Sequence, residues 1–174
     1  MKAIQFTTTK KPGSDLLQSL YNTDPKHPHI HRVDMPYRLT STWQDLDCEI
    51  GLWKDGEQLL AWAIFQPSWW NLDYGIHTSI QGSSLEKEVF AWGKEQVISY
   101  AKRTADDFYG SVEFFEDTPN AEQITGHLEA LGFQKFDWST VRFEMDLQQE
   151  TPLPQLPKGF TIRPLRGRAE VKDY

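Results

Sequence analysis

The residues best placed to do chemistry lie between Asp73 and Glu86. A strand-like run over residues 69–78 ends in Ser79-Ile80-Gln81-Gly82-Ser83-Ser84, and a helix-like run begins at Leu85. Strand, small-residue turn and helix N-terminus together can hold a phosphate group. The first helical N–H groups lack an internal partner, and the helix dipole adds partial positive charge there. A glycine lets an anion approach the backbone closely. The candidate donors are the backbone N–H groups of Gln81, Gly82, Ser83, Ser84 and Leu85. Glu86 opposes that role, because a carboxylate in the first helical turn stabilises a bare helix end and repels a bound anion. The other reading is an ordinary strand-to-helix turn.

Three side chains nearby can move protons. Asp73 and Glu113 fall on adjacent central strands, and His77 ends one of them. Each is a candidate base, acting directly or through a water; the alternative is two strand polars and a turn histidine. His27, His29 and His31 share one face of an extended chain, which is ligand-like spacing. They have no nearby cysteine, so a solvated loop or a substrate-side contact is expected and no metal site. Cys48 is alone, which excludes an internal disulfide and any multi-cysteine zinc site.

The elements that must position these residues are legible from periodicity. Residues 2–7 suggest a short strand, and Ser14 an N-cap for a helix over 15–21. Three prolines argue against a long helix within residues 25–42. Three strands then follow, over 48–53, 59–66 and 69–78, with Lys54-Asp55-Gly56-Glu57 as a hairpin signal. The middle one, Leu59-Leu60-Ala61-Trp62-Ala63-Ile64-Phe65, is apolar on both faces and is expected at the centre of an antiparallel meander. Residues 85–103 fit a helix with a buried stripe through Leu85, Val89, Trp92, Gln96, Ile98-Ser99 and Ala101-Lys102. Residues 108–115 alternate as a strand. Thr118-Pro119-Asn120 opens a helix over 121–131, Gly132 is a natural C′ residue and Phe133 packs back. Residues 134–147 form one long strand or two short ones. In the neighbours Trp69 and Trp70, strand alternation forces one ring out of the core.

Composition bounds the rest. At 174 residues with 39% hydrophobic content the chain can build a real core. The longest apolar run is too short to span a bilayer, and the N-terminus lacks an apolar signal segment, so a cytoplasmic protein without membrane partners is expected. The net charge is −7. Beyond Glu150 there are five basic and two acidic residues, which leaves −10 on residues 1–150. That argues against a nucleic-acid partner. Residues 148–158 carry Pro152, Pro154 and Pro157 and form an extended linker. Residues 159–165 look like a fresh strand, followed by a helix start at which the chain stops. A truncated second domain over 159–174 is the expectation.

This order of elements resembles the GNAT (Gcn5-related N-acetyltransferase) fold over residues 2–147. Tyr74-Gly75-Ile76-His77-Thr78 followed by Gln81-Gly82-Ser83-Ser84-Leu85-Glu86 looks like the family's acetyl-CoA signature, Val-x-Pro followed by (Gln/Arg)-x-x-Gly-x-(Gly/Ala). Leu128-Glu129-Ala130-Leu131-Gly132-Phe133 looks like its Tyr-x-x-x-Gly-Phe helix exit. Leu156-Pro157-Lys158-Gly159-Phe160-Thr161-Ile162-Arg163-Pro164 looks like the junction in tandem members of the mycothiol-synthase type. The chain departs from the pattern at Thr78, Ser84, Glu86 and Leu128, the last standing where many active members keep a tyrosine. The resemblance implies an α/β (α+β) domain over 1–147 with a mixed, mainly antiparallel sheet flanked by helices. It implies acetyl transfer from acetyl-CoA to an amine of a small molecule or peptide. The backbone N–H groups of Ile76 and Thr78 would hold the acetyl carbonyl and pantetheine. The alternative is a degenerate domain that supports or regulates a C-terminal catalytic domain.

Overall fold

The computed structural model describes residues 4–10, 13–23, 35–40, 48–104, 109–139 and 155–164. Residues 1–135 form one compact unit and residues 136–174 a second.

The first unit is built on a four-stranded antiparallel sheet, a meander in the order β1 (Gln5–Thr9), β2 (Ile50–Asp55), β3 (Gln58–Gln66) and β4 (Asn71–Ile76). β2 and β3 join through Gly56 and Glu57, with Gly56 at φ +61° as a two-residue hairpin requires. The sheet is covered on both faces. Ala61, Ala63 and Phe65 of β3 pack with Val89 and Phe90 of α3 (Ser84–Thr104) and with Ile124 and Leu128 of α4 (Ala121–Ala130). Trp62 and Ile64 face the other way, toward Leu20 of α1 (Ser14–Asn22) and Met35 and Leu39 of α2 (Met35–Thr40). The continuous apolar run of β3 therefore feeds two cores, one on each side of the sheet.

Two glycines set how closely the helices approach. A methyl group at Gly93 in α3 would overlap the Leu72 side chain, so this helix lies directly on β4. A methyl at Gly75 would overlap the indole nitrogen of Trp62. That nitrogen donates to the Leu20 carbonyl at 3.0 Å and fastens α1 to the sheet. Gly75→Ala must displace a fully buried ring and break this bond. Overpacking costs about 1–3 kcal/mol and an orphaned buried N–H about the same. A loss of about 3 kcal/mol in chemical denaturation is the expected result.

α4 ends as its sequence dictates. Gly132 sits at φ +87°, its N–H donates to Glu129 O, and the Phe133 N–H donates to Leu128 O. This is the Schellman arrangement. Lys94 Nζ adds a bond to Leu131 O at 2.6 Å, which ties α3 to that terminus.

Several expectations shift. β1 starts later than residue 2, and α1 is preceded by Gly13 rather than capped by Ser14. The strand expected over 69–78 is shorter. Pro67–Trp69 is a 3-10 turn, Trp70 is left-handed at φ 54°, and Thr78–Ile80 is a second 3-10 turn. Among the described residues, 109–115 make a single parallel bridge, Ser111 to Asn71, and no strand. On α3 the buried residues are Glu86, Val89, Phe90 and Gly93, Leu85 and Trp92 are partly buried against the same core, and Ile98 is exposed rather than part of the stripe. Residues 134–139 carry no strand.

Within the second unit the Phe136 and Trp138 rings stack at 5.2 Å, and Phe160 and Ile162 are each 72% exposed. Residues 159–164 have no regular structure. The three loop histidines, residues 140–154 and residues 165–174 lie outside the described residues. No helix among the described residues is long and apolar enough to cross a membrane.

Candidate functional site

The turn between β4 and α3 is closed by its own side chains. Ser83 is the N-cap of α3, and its hydroxyl accepts from the Leu85 N–H at 3.2 Å. Three residues on, Glu86 reaches back as in a capping box. It passes over Ser83 and takes the Gly82 N–H at 3.0 Å. The Ser83 N–H donates to Ile80 O. Gly82 has φ +73°, and Gln123 of α4 covers it closely enough that a methyl group there would overlap the Gln123 amide.

Glu86 is fully buried. Asn120, just before α4, donates to its Oε1 at 2.9 Å, and His127 Nδ1 lies 3.2 Å from Oε2. The histidine contact has ion-pair distance without hydrogen-bond alignment. Burial pushes the Glu86 carboxyl above its ordinary range, and the Gly82 N–H, the His127 charge and Asn120 pull it back. The expectation that Glu86 stabilises a bare helix end shifts, because Asn120, Gln123 and His127 cover that turn. It is a buried carboxyl group seated on the turn.

At the other end of β4 a second polar cluster surrounds Asp73, which is also fully buried. Strand pairing sets Ile64 opposite Asp73 and Gln66 opposite Asn71. Cross-strand partners share a face, so Asp73 lies on the α1 and α2 side of the sheet. Arg38 of α2 meets Asp73 Oδ1 at 2.9 Å, and Asn71 Nδ2 donates to the same oxygen at 2.9 Å. Gln66 donates to Oδ2. The Arg38 guanidinium lies over the Trp69 ring at 5.3 Å, and Tyr37 meets that ring edge-on. The Ser111 N–H and hydroxyl both donate to the Trp70 carbonyl, which holds Trp70 in its left-handed conformation.

The candidate bases are not brought together. His77 is four residues beyond Asp73, about 13 Å along an extended strand. Its Nδ1 accepts from the Ser79 N–H, and its Nε2 lies 3.2 Å from the Gln58 amide. Glu113 is exposed, two residues past the bridge at Ser111. No contact joins the three among the described residues. Ile76 does reach an edge. The His77 N–H donates to Leu60 O, so alternation sends the N–H groups of Leu72, Tyr74 and Ile76 away from β3. Leu72 confirms the direction by donating to Ser111 O at 2.8 Å. Thr78 is exposed at the start of its 3-10 turn. Among the described residues no group of three metal-ligating side chains forms.

Sequence reasoning missed Arg38, Gln66 and Asn71 around Asp73, and Asn120, Gln123 and His127 around Glu86. The spacing Ser83-x-x-Glu86 was the available signal for the second cluster. Nothing local marks the first.

No family model matches this chain, and no curated protein does. Among solved structures it is similar to a ribosomal-protein-alanine N-acetyltransferase from Brucella melitensis biovar Abortus 2308, at 12% identity and TM-score 0.47, over 82% of this chain and 100% of that one. It is also similar to the aminoglycoside antibiotic 6'-N-acetyltransferase AAC(6')-Ih from Acinetobacter baumannii, at 16% identity and TM-score 0.46, over 83% of this chain and 99% of that one.

Proposed function

We propose that this chain is a GNAT-type acyltransferase domain whose phosphate seat is filled from within, and that it supports or regulates a C-terminal catalytic domain of the same protein. The observation that carries this reading is the Glu86 carboxylate on the Gly82 N–H. A pyrophosphate needs donors at that turn. As arranged, Gly82, Ser83 and Leu85 each give their N–H to an internal acceptor, and a buried carboxylate faces the incoming charge. The net charge of −10 on residues 1–150 adds no long-range attraction for a polyanion. The element order, the Gly132-Phe133 helix exit and the proline-rich junction support the family and tandem parts of the proposal. A cytoplasmic location fits the same reading.

A second reading keeps the enzyme: acetyl transfer from acetyl-CoA to an amine of a small molecule or peptide. Ile76 favours it, because its N–H points off the edge of β4 where a thioester carbonyl would be held. In that reading Ile76 and Thr78 hold the acyl arm, residues 81–85 the pyrophosphate, and Asp73, Glu113 or His77 supplies the base.

Calorimetric titration of acetyl-CoA into the 174-residue chain separates the two. The expected result is no saturable heat up to about 1 mM ligand, the weak end of specific binding. A dissociation constant in the micromolar range would sink the filled-seat reading.

A further inference from the structure

We propose that β1 is the contact strand of a two-fold dimer, in which two copies of this chain pair edge to edge into one eight-stranded sheet. Among the described residues β1 is an outer strand, bonded to β2 alone. The direction of its backbone groups follows from the ladder. On β3, Leu60, Trp62 and Ile64 bond toward β4, so Ala61 and Ala63 bond toward β2. Their partners Trp53 and Gly51 therefore face β3, and Leu52 and Ile50 face β1. Leu52 pairs with Thr7 and Ile50 with Thr9, which leaves the N–H and C=O groups of Phe6 and Thr8 pointing outward. Among the described residues these groups have no partner.

The strand is self-complementary. With the two-fold axis at Thr7, Gln5 faces Thr9 of the second copy and Phe6 faces Thr8, so all five residues of β1 find an opposite. The Phe6 and Thr8 groups form four cross-strand hydrogen bonds. Thr7 meets its own copy in a close, non-hydrogen-bonded pair, and Phe6 meets Thr8 as an aromatic and β-branched pair. β1 contains no charged residue and no proline, the usual guards of an edge strand. A neutral contact also suits a body as acidic as this one, since no like charges are opposed across it. Phe6 is 46% exposed although its ring already lies 4.9 Å from Trp53, so the second copy would cover an apolar surface. The arrangement is isologous and closes at two copies, because each copy gives the same β1 edge to the other.

Sedimentation equilibrium on the full chain, up to about 1 mM, tests the dimer. A reversible monomer–dimer equilibrium is expected. Thr8→Pro removes an outward N–H and leaves the β1–β2 ladder intact, so it should weaken dimerisation at least tenfold with little change in thermal unfolding. Disulfide trapping fixes the register independently of that variant. On a Cys48→Ser background, Thr7→Cys places two thiols across the axis with Cα atoms about 4.5 Å apart, within bonding range. Gln5→Cys places them about 14 Å apart, beyond it. Oxidation should give a covalent dimer with Thr7→Cys and not with Gln5→Cys. A chain that stays monomeric throughout, a Thr8→Pro protein that still dimerises with wild-type affinity, or equal trapping by both cysteine variants would overturn the proposal.

Discussion

Glu86→Leu should lower the stability of this protein by about 3 kcal/mol, roughly 10 °C in thermal midpoint for a unit of this size. The leucine fits the buried volume and keeps the helix propensity, so the loss is polar in origin. It strands the Gly82 N–H and the Asn120 amide without an acceptor, each costing about 1–3 kcal/mol. Glu86→Gln should cost under about 1 kcal/mol. The Asn120 Oδ1 is buried without a donor, so an amide rotation at Asn120 lets a glutamine serve both groups. The pH dependence carries its own sign. Burial raises the folded-state pKa above the ordinary 4.5, so between 4.5 and that raised value the folded protein holds a proton the unfolded chain has released. In that window the contribution of Glu86 to stability falls as pH rises, and below 4.5 it is fully present. Glu86→Gln has no such titration and should flatten the slope. Denaturation midpoints measured across acid pH in both proteins check this; parallel profiles would show that Glu86 is not the titrating group.

The second large effect is expected at Asp73. Asp73→Ala leaves Arg38 with a mostly buried charge and removes the acceptor used by Asn71 and Gln66. Breaking a buried pair from one side costs about 3–5 kcal/mol, and the remaining water at Arg38 favours the lower end. Arg38→Met should also be costly from the other side, because it removes the guanidinium 2.9 Å from a fully buried carboxylate. The double variant Asp73→Leu/Arg38→Met should lose markedly less than the sum, since replacing both charges by apolar groups removes the unpaired remainder. Urea denaturation of the four proteins gives the coupling directly. Additive losses would mean that the ion pair does not hold α2 to the sheet.

These two carboxylates also mark how far the sequence could be read. Both were singled out from the one-dimensional pattern, Glu86 as a charge in a first helical turn and Asp73 as a strand polar. Neither the burial nor the partners of either was legible. Asn120 and His127 lie 34 and 41 residues from Glu86, and Arg38 lies 35 residues from Asp73. No periodicity connects positions so far apart; they meet because α4 folds over the turn and α2 over the opposite face of the sheet.

What the sequence determined by itself is what local interactions determine. The two-sided apolar run of residues 59–65 required a central strand with a core on each face. Asp55-Gly56 required a hairpin. Leu128 to Phe133 required a helix closed by a left-handed glycine. Each rests on backbone sterics or on a period of two or 3.6, which a short stretch carries whatever surrounds it. The tertiary structure alone decided the rest. Trp70 leaves the strand for a left-handed turn because Ser111, some forty residues away, supplies two donors for its carbonyl. Residues 109–115 alternate like a strand, yet among the described residues they pair at Ser111 alone, because pairing depends on the neighbour met as well as on the pattern presented. The turn at Gly82 looks like an anion seat in sequence, and its own helix supplies the anion. A buried N–H must be satisfied by whatever acceptor the fold brings nearest, and here the fold brings Glu86.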